Sequence, residues 1–123
     1  MPQDMKSLKV WVNDLYHKST EGKLPSEITQ KCETLLANLR NGKAHIDLAE
    51  SLQKLANHAV DLGDYAQAKE LCVLARMEYI VGNEFTSDRA VKAYALEGVR
   101  SMELLLFSKI TPKLKKKWWQ FWK

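Results

Sequence analysis

The segment LAESLQKLANHAVDLGDYAQAKELCVLARMEYI, residues 48–80, carries the clearest structural pattern of this chain. In its first half, apolar side chains recur at alternating steps of four and three residues, as in an amphipathic helix: Leu48, Leu52, Leu55, Ala59 and Leu62. Gly63 stands where a left-handed C-terminal cap belongs, and Asp64 is a suitable N-cap for a second helix. That second helix runs through Tyr65, Ala68, Leu71, Cys72, Ala75, Tyr79 and Ile80. The segment therefore predicts two helices joined by a tight reversal.

Two further helices are predicted on the N-terminal side of this hairpin. Their apolar positions are Met5, Leu8, Val12 and Leu15 in the first and Ile28, Cys32, Leu35 and Leu39 in the second. Asp4 and Ser26 are the expected N-caps, and Asn41-Gly42 is the expected end of the second helix. We expect these two helices to form a hairpin of their own.

A fifth helix is predicted from about residue 87 to residue 109. Its circumference is mostly apolar, which is typical of a helix packed on two sides, so we expect it to be the central one. Because no alternating β-strand pattern persists, the predicted fold is all-α: a single five-helix antiparallel bundle or array comprising residues 1–110, followed by a short basic-aromatic tail over residues 111–123.

Part of the hairpin resembles one tetratricopeptide repeat, a helix-turn-helix unit of 34 residues. The matching residues are Leu52, Leu55, Ala56, Ala59, Gly63, Asp64, Tyr65, Ala68, Cys72 and Ala75. The chain departs from the family at Ile80, where a proline is usual, and at Cys72, where a long aromatic is usual. The resemblance implies close packing of two helices through alanines and a scaffold that binds peptides or proteins. An ordinary helical bundle with alanines at a close crossing is the alternative.

The positive charge of this chain is concentrated at its C-terminal end. The formal net charge is +4, and residues 113–123 contain five lysines and no acidic residue. The remaining residues, 1–112, carry 14 basic and 15 acidic side chains. A near-neutral body with a cationic end disfavours a protein that binds nucleic acid through a broad basic face.

The remaining composition indicates a folded intracellular protein. Cys32 and Cys72 lie inside apolar helical patterns without metal-ligand spacing, and we expect both to be buried free thiols. The first residues lack the apolar run of a signal peptide, and no run is long enough to span a bilayer. We therefore expect a cytoplasmic protein, with peripheral attachment to the inner face of a membrane as an additional possibility.

The tail is predicted to form a short amphipathic helix, with Thr111 as N-cap and Pro112 as the first helical residue. On such a helix Leu114, Trp118, Phe121 and Trp122 share one face and the lysines lie largely on the other, as on helices at an anionic membrane surface. The expected contact residues are Leu114, Lys115, Lys116, Lys117, Trp118, Trp119, Phe121 and Trp122. Three alternatives remain: the tail docks into a groove of a partner protein, it packs on the chain's own core, or, least favoured, it stacks on single-stranded nucleic acid.

Motifs of catalysis or metal binding are not found in the sequence. His17, His45 and His58 share no metal-ligand spacing, and each is expected to lie at the surface or to be a hydrogen-bonded structural residue. A rival hypothesis rests on Arg40 and His45, whose order resembles that of the phosphate-binding and general-base residues of a superfamily of small, all-helical ribonucleases of the toxin-antitoxin type. Against it, Asn41-Gly42 would break the helix that holds the pair in register.

The sequence thus predicts a non-enzymatic adaptor or binding protein without a cofactor or metal. Its helical domain is expected to engage a protein partner, and its tail a membrane surface or a partner. The alternatives are the small ribonuclease and a purely structural bundle with the tail packed on its own core. The sequence decides neither the partner nor the oligomeric state.

Overall fold

The computed structural model of this protein describes residues 5–114. These residues form five α-helices and no β-strand. The helices are α1 (Met5–Thr20), α2 (Ser26–Ala37), α3 (Gly42–Asp61), α4 (Tyr65–Glu84) and α5 (Arg89–Leu105), and a π-helical segment, Leu106–Ile110, extends α5. The predicted all-α class and the five-helix bundle are confirmed.

Helices α1 to α4 pack in chain order, α1 on α2, α2 on α3 and α3 on α4, and side chains of α1 also contact α4. Hydrogen bonds join Ser19 to Thr29 across α1 and α2, and Lys31 to Ser51 across α2 and α3. Lys18 of α1 forms a salt bridge with Glu70 of α4. The predicted α1–α2 hairpin is therefore present, and the apolar core lies between these four helices and the inner face of α5.

The α3–α4 hairpin follows its sequence pattern closely. Gly63 has a φ of +79°, the left-handed conformation that glycine adopts without strain, and it directly follows the C-cap residue of α3. The Asp64 side chain accepts a hydrogen bond from the backbone N–H of Gln67 and caps α4. The small side chains expected at the interface are buried: Ala56, Ala59, Ala68 and Ala75. Close packing of the two helices through alanines is thus confirmed.

The start of α3 and the end of α4 approach each other even more closely, backbone against backbone. A Cβ atom added to Gly42 would lie 2.7 Å from the carbonyl oxygen of Gly82, and one added to Gly82 would lie 2.6 Å from Ile46 Cγ1. Gly82 is therefore part of α4 and does not terminate it. Gly42 likewise begins α3, whose N-cap is Asn41.

Two sequence-based details of α2 are wrong. Ser26 is the first helical residue and not the cap, because Pro25 occupies the N-cap position and no side chain caps this end. The helix ends at Ala37, although Leu39 is still buried. Asp4, the predicted cap of α1, lies outside the described residues.

The prediction that the fifth helix is central is also wrong. Helix α5 packs mainly against α4, and only Ala95, Gly98, Met102 and Leu105 of its residues are buried. The bundle centre belongs instead to α3 and α4. The apolar residues on the far side of α5 are consequently left in contact with solvent.

Candidate interaction surface

Three exposed apolar side chains of the last helical segment share one face. Leu96, Leu104 and Phe107 are 47%, 68% and 66% exposed. With Arg100 they follow a spacing of 0, 4, 8 and 11 residues, which places all four within one quadrant of an α-helix. We call these four residues the α5 stripe. A single exposed leucine is ordinary, but several aligned ones indicate a surface that contacts something else.

The opposite face of α5 is held on α4 by specific contacts. The carbonyl oxygen of Met102 accepts a hydrogen bond from Cys72 Sγ at 3.0 Å, and Arg76 forms a salt bridge of 2.9 Å with Glu103. A Cβ atom added to Gly98 would lie 2.5 Å from the Tyr79 ring. These contacts fix the rotation of α5 about its axis, and so they determine that the stripe faces outward.

At its N-terminal end, α5 is also tied to α3. A hydrogen bond between the side chains of Tyr94 and Glu50 raises the pKa of Tyr94. Further along, a groove of about 320 Å³ lies between α3 and α5. Its lining combines amide, hydroxyl and apolar side chains: Gln53, Asn57, Ser101, Met102, Leu104, Leu105, Ser108 and Lys109. Leu104 therefore belongs both to the stripe and to the rim of this groove.

The transition from α5 to the C-terminal residues differs from the prediction. Thr111 is helical and does not cap a new helix, and its backbone N–H bonds to the carbonyl oxygen of Leu106, five residues earlier. The chain therefore stays helical from Arg89 through 114, with one π-helical segment just before Pro112. Proline lacks the N–H of an ordinary helical residue, and a local change of hydrogen-bond register is a common response to such an interruption.

The predicted contact residues are divided by the boundary of the described chain. Leu114 is half-buried and packs against the edge of the core. The other predicted residues lie outside the described residues: Lys115, Lys116, Lys117, Trp118, Trp119, Phe121 and Trp122.

The charge asymmetry of the chain begins at α5 and not only at the tail. Residues 1–88 contain 10 basic and 13 acidic side chains, whereas residues 89–123 contain nine basic and two acidic ones. Both acids of α5 are paired with arginines, Glu97 with Arg100 at 3.8 Å and Glu103 with Arg76. Within residues 5–114, Lys109 and Lys113 form no salt bridge. The C-terminal third is thus cationic next to an acidic remainder.

A buried polar network, not predicted from the sequence, joins α1, α3 and α4. Trp11 Nε1 donates a hydrogen bond of 2.6 Å to Glu78 Oε1, and His45 Nδ1 lies 2.6 Å from Glu78 Oε2. His45 Nε2 donates to the carbonyl oxygen of Leu39 at 2.8 Å. The His45 and Glu78 side chains are completely buried, and the Phe85 ring stacks on the imidazole.

The hydrogen bonds of His45 and Glu78 use all the polar atoms of both side chains. A carbonyl oxygen can only accept, so Nε2 of His45 carries a hydrogen, and the short contact between Nδ1 and Glu78 requires a second one. Both ring nitrogens of His45 and both side-chain oxygens of Glu78 therefore have a hydrogen-bond partner. A buried pair in this state satisfies every polar atom, and within residues 5–114 no buried side-chain polar atom lacks a partner.

A signal for this network was present in the sequence. Glu78 is spaced three and four residues from Ala75, Leu74 and Gly82, on the buried stripe of α4. An acidic residue on an apolar stripe predicts a buried partner, but it does not tell which helix provides it. His45 is accordingly a hydrogen-bonded structural residue, as expected. Arg40 is exposed, and with His45 enclosed the pair offers no common surface to RNA.

Both cysteines are buried free thiols, as predicted. Burial raises the pKa of Cys32 to about 12 and that of Cys72 to about 11. The negative charge of Glu78 adds to the shift at Cys32. Because only the thiolate is strongly nucleophilic, neither cysteine is arranged for catalysis at neutral pH. In residues 5–114, no three His, Cys, Asp or Glu side chains are grouped to hold a metal ion.

Comparison with known proteins gives no relative: no family model, no curated protein and no solved structure matches this chain. The tetratricopeptide resemblance therefore stays a prediction. Among the described helices, none is long and apolar enough to cross a membrane.

Proposed function

We propose that this protein is a non-enzymatic adaptor that attaches to an anionic membrane surface through its cationic C-terminal third and offers its helical bundle to a protein partner. The charge asymmetry carries the proposal: nine basic and two acidic residues over 89–123, against an acidic excess in the rest of the chain. A protein with this distribution is oriented by a negative surface before it makes contact. Cytoplasmic leaflets rich in anionic lipid provide such a surface.

The aromatic residues of the tail support a membrane in particular. Tryptophan rings are enriched at the depth of lipid headgroups, and three of the four tryptophans of this chain are Trp118, Trp119 and Trp122. Each lysine near an anionic leaflet contributes about 1 kcal/mol, so the four lysines after Leu114 would supply on the order of 4 kcal/mol. Insertion of the aromatic rings adds to this, which is sufficient for reversible attachment.

Flotation with lipid vesicles tests this function. We expect the full chain to bind phosphatidylserine-containing vesicles and not to bind pure phosphatidylcholine vesicles. We expect it to dissociate as the salt concentration is raised. A variant with Lys115, Lys116 and Lys117 replaced by glutamine should lose most of this binding. The matched control replaces three exposed lysines elsewhere, Lys9, Lys43 and Lys54, and has the same net charge.

The outcome depends on where the charge is removed and not on how much is removed. Equal loss in the tail variant and in its control would show nonspecific electrostatic adhesion and would contradict the proposal. If the chain does not bind vesicles but binds a protein partner through its tail, the alternative is favoured, in which the tail docks on a protein.

A further inference from the structure

We infer that the α5 stripe itself contacts the lipid, so that α5 lies along the membrane surface and the attachment extends beyond the terminal tail. This inference rests on the proposed membrane function and adds a defined contact surface to it. The stripe consists of Leu96, Arg100, Leu104 and Phe107, on a helix that packs mainly against α4 and also contacts α3.

The stripe has the composition of an interfacial helix. Its two most exposed apolar residues, Leu104 and Phe107, are about two-thirds exposed and lie one helical turn apart. Such side chains bind shallowly among headgroups and acyl chains when basic residues flank them. Arg100 suits the same environment, because its aliphatic stem can follow the apolar surface while the guanidinium reaches the headgroups.

The flanking charges favour an anionic surface as the occupant. Lys109 and Lys113 follow the stripe on the same continuous helical segment and form no salt bridge among the described residues. The acid within the stripe region, Glu97, is paired with Arg100, and Glu103 with Arg76. Over residues 89–114, five basic side chains outnumber these two acids, which favours an anionic leaflet.

The same charges disfavour a second copy of this chain as the occupant. Two such helices placed face to face would bring two cationic C-terminal thirds together, which costs energy. Nucleic acid is also a poor fit, since a duplex or strand is held mainly by phosphate contacts, and burying Leu104 and Phe107 provides none.

Two exposed apolar pairs allow a matched experiment on the full chain. We compare Leu104→Ser/Phe107→Ser with Val10→Ser/Leu62→Ser, since Val10 and Leu62 are 54% and 70% exposed but lie on other elements. The stripe variant should bind phosphatidylserine-containing vesicles roughly 10- to 100-fold more weakly than the parent chain, as expected from losing two inserted side chains. The control pair should bind like the parent. Thermal unfolding should be unchanged in both, because the substituted side chains are exposed.

A second readout tests contact directly. Cys32 and Cys72 are buried, so a cysteine introduced by Phe107→Cys can be labelled selectively with a polarity-sensitive fluorophore. Its emission should shift to the blue on adding anionic vesicles, whereas the same label at Leu62→Cys should not respond.

The possible results separate this inference from the proposed function. If the stripe variant binds normally and the label at position 107 stays in water, while the tail lysine variant still loses binding, the stripe inference is wrong and membrane attachment by the tail stands. If the full chain does not bind vesicles, both fail. If the stripe substitutions abolish only a concentration-dependent dimer, the stripe is a contact between two copies and the inference is again overturned.

Discussion

Helices α3 and α5 have similar amphipathic sequences but different surroundings. Helix α3 has 20 residues, of which nine are buried, because it packs between α2 and α4. Helix α5 has 17 residues, of which four are buried, because it packs mainly on α4. The apolar content of a helix therefore does not by itself predict how many of its residues are buried. In α5, the surplus apolar residues are available for binding.

The largest loss of stability is expected from a substitution inside the bundle, at Glu78 of α4. Glu78→Ala would leave Trp11 Nε1 and a buried His45 without their partner, and we expect it to lower the free energy of unfolding by about 3–5 kcal/mol. Glu78→Gln should cost about 1 kcal/mol or less, since an amide can accept from Trp11 and donate to a neutral His45. Urea denaturation measures both.

The control for this pair of variants is Glu84→Ala, an exposed acid on the same helix. It should change the free energy of unfolding by no more than about 0.5 kcal/mol. If Glu78→Ala is equally mild, the buried network does not stabilise the bundle.

Two adjacent leucines of α5 allow its buried and exposed faces to be compared directly. Leu105 is 8% exposed and Leu104 is 68% exposed. Leu105→Ala creates a cavity against α4 and should cost about 2–4 kcal/mol in the free energy of unfolding, whereas Leu104→Ala should cost less than about 0.5 kcal/mol. Thermal and urea unfolding of the two variants provide the measurement. Similar losses at both positions would mean that the outer face of α5 is covered, which would also remove the α5 stripe as a free surface.

The smallest expected effect concerns the contact between α5 and α4 at Gly98. An added methyl group would collide with the Tyr79 ring, so Gly98→Ala should destabilise the protein by about 1–3 kcal/mol despite the better helix propensity of alanine. At the exposed position 93 of the same helix, only propensity acts, and Ala93→Gly should cost about 1 kcal/mol.

Glycine is therefore expected to be favoured over alanine at position 98 and disfavoured at position 93. Thermal unfolding measured by calorimetry shows whether each of the two substitutions lowers the stability of the parent chain. A stabilising Gly98→Ala would contradict a collision between the added methyl group and the Tyr79 ring.

Much of the fold could be predicted because its signals are local. The spacing in residues 48–62, the left-handed glycine at Gly63 and the cap at Asp64 act within a few residues of the chain, and all three are present. The burial of Cys32 and Cys72 followed from the same spacing. Of the predicted contact residues, only Leu114 is described, and its partial burial depends on the core edge beside it.

The sequence was sufficient to predict the five helical segments, though not all of their ends, the turn of the central hairpin and the concentration of positive charge, because these depend on local backbone hydrogen bonds and on composition. Only the tertiary structure decided which face of each helix is covered. His45 contacts Glu78, 33 positions away in the sequence, and Tyr79 contacts Gly98, 19 positions away. Helical periodicity does not predict which residues of different helices come into contact. For the same reason α5 could be predicted as a helix but not as an outer one.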